Sequence, residues 1–176
     1  NGQTIRSEVR IPMLRQQKVS ADGQPNLCLS DFLRPIYMEK TDCLGIFCAT
    51  VDAEIVELYR HDDYRSMLAQ TLSDRLAEAT AERMHQEVRT TFWGYAADEK
   101  LTMEQLLREN YQGIRPAVGY PSMPDTSINF LLDEILGMKE VGIRLTESGM
   151  MTPHASVSGL MFSHPKAHYF ELGKIG

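Results

Sequence analysis

Glu109–Pro121 reads ENYQGIRPAVGYP. Two prolines and two glycines at this spacing predict an irregular loop, because proline lacks a donor and restricts the residue before it. The loop nonetheless carries Glu109, Tyr111, Arg115 and Tyr120, more polar and aromatic chemistry than a linker needs. Two readings stand. It is either a binding loop, with Arg115 as a fixed cationic fork between exposed main-chain groups, or a buried structural turn with Arg115 in an ion pair.

N-terminal to the loop the pattern is helical. A short helix over AEIVELYR leads to His61-Asp62-Asp63-Tyr64, where an aspartate caps a long helix from Tyr64 to about Phe92. That helix spans roughly 40 Å at about 1.5 Å per residue. Its expected buried stripe is Leu68, Leu72, Leu76, Ala79, Met84 and Val88. Asp74, Glu78, Glu82, His85, Arg75 and Arg89 fall on another face and read mostly as solvated i,i+4 pairs. Gly94 closes this segment, and a third helix starts at a Thr102 cap.

C-terminal to the loop, Ser127–Leu136 reads as a helix with Ile128, Leu131, Leu132 and Ile135 on one side. Strand-like segments follow at 143–146, 155–163 and 169–175, with both faces of the second apolar and a turn at His164-Pro165. Upstream, residues 43–51 (CLGIFCATV) read as a central strand, 27–33 as a packed segment and 4–11 as a strand. A chain opening on the turn dipeptide Asn1-Gly2 and ending abruptly is expected to be a fragment.

The 176 residues suit one domain with a core of its own. A net charge of −6 argues against a phosphate-tracking nucleic-acid binder. Three cysteines without a CxxC pair point to free thiols and a cytoplasmic protein, and no apolar run is long enough to cross a membrane. Neither Cys43 with Cys48, nor His61 with its aspartates, nor His85 with Glu82 completes a metal-ligand set. GxGxxG, P-loop, GxSxG and HExxH motifs are absent. An arginine, carboxylates and aromatics without an acid–base pair fit binding better than bond-breaking.

Three long blocks decide the family. DRLAEATAERMHQEVR with FWGYA (Asp74–Ala96), LLRENYQGIRPAVGYPSMPD (Leu106–Asp125) and LTESGMMTPHASVSGLMFSHPKAHYFELGKI (Leu145–Ile175) together resemble the activation domain of cobalamin-dependent methionine synthase. MLRQQ at Met13–Gln17, NLCLSDFLRP at Asn26–Pro35 and HDDY at His61–Tyr64 extend the likeness over nearly the whole chain.

The resemblance implies an α+β fold, a twisted antiparallel sheet with long flanking helices, over 1–176 as a single activation domain. It also implies S-adenosylmethionine as the ligand and cobalamin carried by a partner domain. The expected role is reductive reactivation of methionine synthase: an electron arrives from flavodoxin or a similar reductase, and the ligand donates a methyl group to cobalamin. By that resemblance the module would be part of a methyltransferase acting on 5-methyltetrahydrofolate and homocysteine, and it is not expected to be catalytic alone. No nucleic-acid or membrane partner is expected. The alternative is an interaction subunit for a corrinoid protein or its reductase that no longer binds S-adenosylmethionine.

Carried over residue by residue, the family's Arg-x-x-x-Gly-Tyr motif falls on Arg115, Gly119 and Tyr120, with backbone groups near Ala117. Glu78 and Glu109 match acidic positions, and Tyr169 and Phe170 match an aromatic pair. Arg115 then suits a carboxylate, the glutamates suit ammonium and sulfonium charge, and Gly119 is expected to allow close approach of the chain. The family's N-terminal Asp-Trp-Thr-Pro-Phe-Phe segment has no counterpart before Asn1, and its C-terminal helices have none after the last block. Thr126-Ser127-Ile128 stands for His-Thr-Glu, Thr152-Pro153 for Trp-Pro, and the segment around 50–60 is shorter.

Overall fold

In a computed structural model, the structure describes residues 9–17 and 23–174. The Asn1-Gly2 turn, most of the 4–11 strand and Ile175 lie outside those residues, and residues 9–11 are not in a strand. Strand β1 (Gly45–Thr50) pairs antiparallel with β4 (Ser156–Met161), from Gly45 opposite Met161 to Thr50 opposite Ser156. A second, two-residue ladder joins β2 (Arg144–Leu145) to β3 (Met151–Thr152). The α-helices among the described residues are α1 (Glu54–Glu57), α2 (Asp63–Glu87), α3 (Met103–Leu107) and α4 (Ile128–Leu136). This is the α+β arrangement that the resemblance implies, with α2 as the long flanking helix.

The pleat sends alternate β1 side chains to opposite layers. Ile46 and Cys48 join the cluster of Leu29, Ile128, Leu132, Leu160 and Phe162 on the α4 side, whereas Phe47 packs with Ala81 and Met161 under α2. Both faces of the sheet are therefore covered. One polar pair crosses the α4 layer: buried Ser158 donates to Asn129 Oδ1 at 2.5 Å, and Asn129 Nδ2 donates to the Gly149 carbonyl at 2.8 Å. Both amide ends are thus satisfied, as burial demands.

Asp62 caps α2 as expected, its Oδ1 accepting from the Arg65 N–H at 3.0 Å. The buried stripe of α2 differs from the sequence expectation. It consists of Ala69, Ser73, Ala77, Ala81 and His85, while Leu68, Leu72 and Leu76 are 46%, 61% and 52% exposed. The i,i+4 run of small residues lets the helix backbone lie close to the sheet, a contact the larger leucines would hold apart. Helix α2 passes into a π turn at Val88–Phe92 and stops at Gly94, whose φ is +63°. The face read as solvated is only partly so, since His85 and Arg89 are fully buried.

Other expectations are adjusted in detail. Helix α1 is one turn, after which the chain bends to bring Asp62 to the head of α2. Helix α4 buries Ile128, Asn129 and Leu132 and leaves Ile135 at the surface. The Thr102 cap of α3 is present as a reciprocal box with Gln105. β4, not β1, is the middle strand among the described residues, because the 114–118 segment runs along its other edge. Residues 169–174 form no strand. Leu172 is buried, but its backbone partners are the Pro121 carbonyl and the Gln17 N–H, and Pro121 has no N–H to return.

Candidate functional site

The loop 109–121 is neither free nor regular. Ile114 and Phe162 exchange backbone hydrogen bonds of 3.0 and 2.9 Å, Leu160 N–H donates to the Pro116 carbonyl at 3.0 Å, and Val118 N–H donates to the Ser158 carbonyl at 2.9 Å. The segment thus serves β4 as a third strand despite its proline. Pro116 contributes only its carbonyl to the ladder, and the bond that an N–H at this position would return to the Leu160 carbonyl is missing. Ala117 stands opposite Gly159 between those bonds, so its own N–H turns away from β4.

Close approach comes from Gly159. A Cβ there would lie 2.3 Å from the Pro116 oxygen and 2.9 Å from Ala117 Cα. Gly119 has open space around it, and its φ of +89° lets the chain reverse into the Tyr120–Met123 bridge.

Between this loop, α2 and the 169–171 segment lies a cavity of about 530 Å³. Glu78, Glu109, Arg115, Ala117, Tyr120, Tyr169 and Phe170 all line it, together with Pro116, Val157 and Glu171. Seven of the eight residues singled out from sequence therefore meet at one cavity; the eighth, Gly119, shapes the turn beside it. The volume falls within the range of about 300–1,000 Å³ usual for small-molecule sites. Glu109 is held at φ +56°, a left-handed backbone that a non-glycine residue adopts at a cost of about 1 kcal/mol or more.

The ion-pair reading of Arg115 holds, and the same side chain reaches the cavity. Its Nη2 donates to Glu82 Oε2 at 2.6 Å, and its side chain is 21% exposed at the cavity wall. Its main-chain N–H donates to the Tyr169 hydroxyl at 3.0 Å. Arg115 Nε is buried with no hydrogen-bond partner among the described residues. Burial works to lower the guanidinium pKa, but the Glu82 bond and the fields of Tyr169, Glu82 and Tyr111 outweigh it, so the pKa is raised. Arg115 is a permanent cation at this wall.

Glu78 shares its carboxylate between Arg75 (2.6 Å) and the Tyr120 hydroxyl (3.3 Å). Burial, then the Glu78 charge, raises the Tyr120 pKa, and burial raises those of Tyr169 and Tyr111. The three phenols stay protonated, and those of Tyr120 and Tyr169 belong to residues that line the cavity.

Behind Arg115 lies a buried charged layer that sequence reasoning did not assign. Arg89, fully buried, donates from Nε and Nη2 to Glu99 at 2.8 Å each, with its guanidinium 4.2 Å from the Tyr111 ring centroid. Its Nη1 stands 4.0 Å from Glu82 Oε1. His85 packs edge-on to Tyr111 at 5.1 Å, with neither ring nitrogen partnered among the described residues. Burial, then the Arg89 and Arg115 charges, pushes its pKa down to about 3. One signal was present in the sequence. A loop arginine read as paired needs a carboxylate, and Glu82 lies one turn beyond Glu78 on the face bearing Arg89.

The family model of the vitamin B12-dependent methionine synthase activation domain matches residues 1–176. The chain belongs to this family. A solved structure described as the MetH reactivation domain bound to AdoHcy is similar to this activation domain, with a TM-score of 0.86 and 45% identity. The match covers 93% of this chain and 52% of that one, so the present activation domain spans about half of its length. The cavity-lining loop of the activation domain is thus built on a fold it shares with a domain solved with a nucleoside thioether.

Proposed function

We propose that this activation domain binds S-adenosylmethionine in the Arg115–Tyr169 cavity and presents it to cobalamin carried by methionine synthase, as part of reductive reactivation. The observation that carries the reading is the convergence of one cation, three carboxylate residues and an aromatic wall on a single cavity. S-adenosylmethionine is a zwitterion with a sulfonium and an apolar-faced adenine, and each part has a counterpart there. Arg115, on the cavity wall, suits the carboxylate. Glu78 and Glu109 suit the ammonium and sulfonium. Tyr169 and Phe170 offer faces for stacking, and Ala117 N–H offers a main-chain donor.

When bound, S-adenosylmethionine supplies a sulfonium methyl group for in-line transfer to the cobalt of a reduced cobalamin. The chain's own residues hold and orient the donor. Neither a base nor a proton relay is required, and the neutral phenols and permanently charged Arg115 match that demand. The cobalamin-binding domain of methionine synthase is the partner this requires, with flavodoxin or a similar cytoplasmic reductase as the electron source.

The test mixes the chain with a methionine synthase lacking its own activation domain, a reductant and methyl-labelled S-adenosylmethionine. Label appearing on cobalamin, dependent on the added chain, is the expected result. Association with the cobalamin domain without S-adenosylmethionine binding or label transfer would favour an interaction subunit instead.

A further inference from the structure

Arg115 is fixed from three sides. Its backbone neighbours Ile114 and Pro116 are bonded to β4, and its own N–H donates to Tyr169. The side chain is held from α2 by Glu82 alone among the described residues, through Nη2 at 2.6 Å. Glu82 does not line the cavity. Its second oxygen, Oε1, is buried without a hydrogen bond and faces Arg89 Nη1 at 4.0 Å. Arg89 in turn is locked by its two bonds to Glu99 and by the Tyr111 ring beneath it. The result is an alternating row, Glu99–Arg89–Glu82–Arg115, running from the fully buried Arg89 and its nearly buried partner to the cavity wall.

We propose that Glu82 is a positioning residue: anchored by the Arg89–Glu99 pair, it aims the Arg115 guanidinium so that its remaining donors meet the carboxylate of the ligand. The inference rests on the reading of the cavity as an S-adenosylmethionine site and adds to it a residue that never touches the ligand. An arginine free to sample its rotamers must be ordered when it binds, a cost that Glu82 meets in advance. Its negative charge also repels a carboxylate at Arg115, so deleting charge and hydrogen bond together would mix two opposite effects.

The pair Glu82→Gln and Glu82→Met separates them. Both are neutral and similar in size, and only glutamine keeps an oxygen to accept from Nη2. Each variant and the parent chain is titrated by calorimetry with S-adenosylmethionine and with its decarboxylated analogue, after a thermal melt to establish folding. The expected result is S-adenosylmethionine bound about three- to tenfold more weakly by the Met variant than by the Gln variant. The analogue, which has no carboxylate for Arg115, is expected to bind the two variants alike.

Equal S-adenosylmethionine affinity in the two variants overturns the proposal. So does a Met variant that weakens both ligands equally, or variants that fail to fold, since each places Glu82 in general stability. A parent chain that binds neither ligand removes the site reading itself, and the positioning role with it.

Discussion

Gly159→Ala tests the architecture of the cavity wall without altering a polar side chain. The added Cβ would sit 2.3 Å from the Pro116 oxygen and 2.9 Å from both Ala117 Cα and Phe47 Cε1. Ordinary contact needs roughly 3.5 Å, so loop and strand must separate by about 1 Å. Phe47 is buried beneath and cannot yield. The separation strains two hydrogen bonds, Leu160 N–H to Pro116 and Val118 N–H to Ser158, each contributing about 1 kcal/mol net. Overpacking adds about 1–3 kcal/mol, and the smaller entropy of the unfolded alanine chain returns about 0.4–1 kcal/mol. A net loss of about 3 kcal/mol follows. With a urea m-value of about 2 kcal/mol/M, the midpoint falls by roughly 1.5 M. Equilibrium urea unfolding followed by far-UV circular dichroism measures the shift, and S-adenosylmethionine titration reads the loss of the cavity wall. A variant within about 0.5 kcal/mol of the parent that binds equally well would refute the account of the loop as a third strand pinned at Gly159.

Two further outcomes follow from the buried charged layer. His85, at a pKa of about 3 in the fold against about 6.5 unfolded, binds a proton only in the unfolded chain between those values. The unfolded state therefore holds more protons in that window, and stability rises with pH across it. Acidification from pH 7 to 4 should cost about 3 kcal/mol through this one group, and His85→Leu should flatten that slope in pH-dependent urea melts. The second concerns Glu99, whose side chain is 6% exposed and which is the bidentate partner of fully buried Arg89. Glu99→Ala should cost about 3–5 kcal/mol in thermal or urea unfolding, because it strands an arginine in the core. A loss under 1 kcal/mol would mean that water reaches Arg89.

The sequence made the site more legible than the packing that supports it. The loop's punctuation, Arg115 and the two tyrosines could be read directly because proline, glycine and charge act locally. The Leu68–Leu72–Leu76 stripe misled because both faces of α2 carry apolar side chains at i,i+4 spacing, and only the sheet's demand for close approach selects the alanines. His85 and Arg89 looked solvated for a related reason. Their burial depends on Glu99 and Tyr111, which arrive from 10 and 22 residues beyond Arg89 and leave no periodic trace. The expected strand over 169–175 had the right composition, but its neighbours are a proline and one N-terminal residue. A ladder needs a partner that returns hydrogen bonds, and composition does not report one. Gly159 shows the same limit: contact between backbones across the ladder singles it out, and no local pattern in the sequence marks that contact.

The central claim is that this cavity takes S-adenosylmethionine through Arg115. Calorimetric titration of the chain with S-adenosylmethionine, beside Arg115→Ala, tests it most directly. The account predicts saturable one-site binding by the parent chain and an affinity reduced by about 1.5–3 kcal/mol, roughly ten- to hundredfold, in the variant, as expected for loss of a charge-assisted hydrogen bond. Binding that survives the substitution unchanged, or no binding by the parent chain at all, would contradict it.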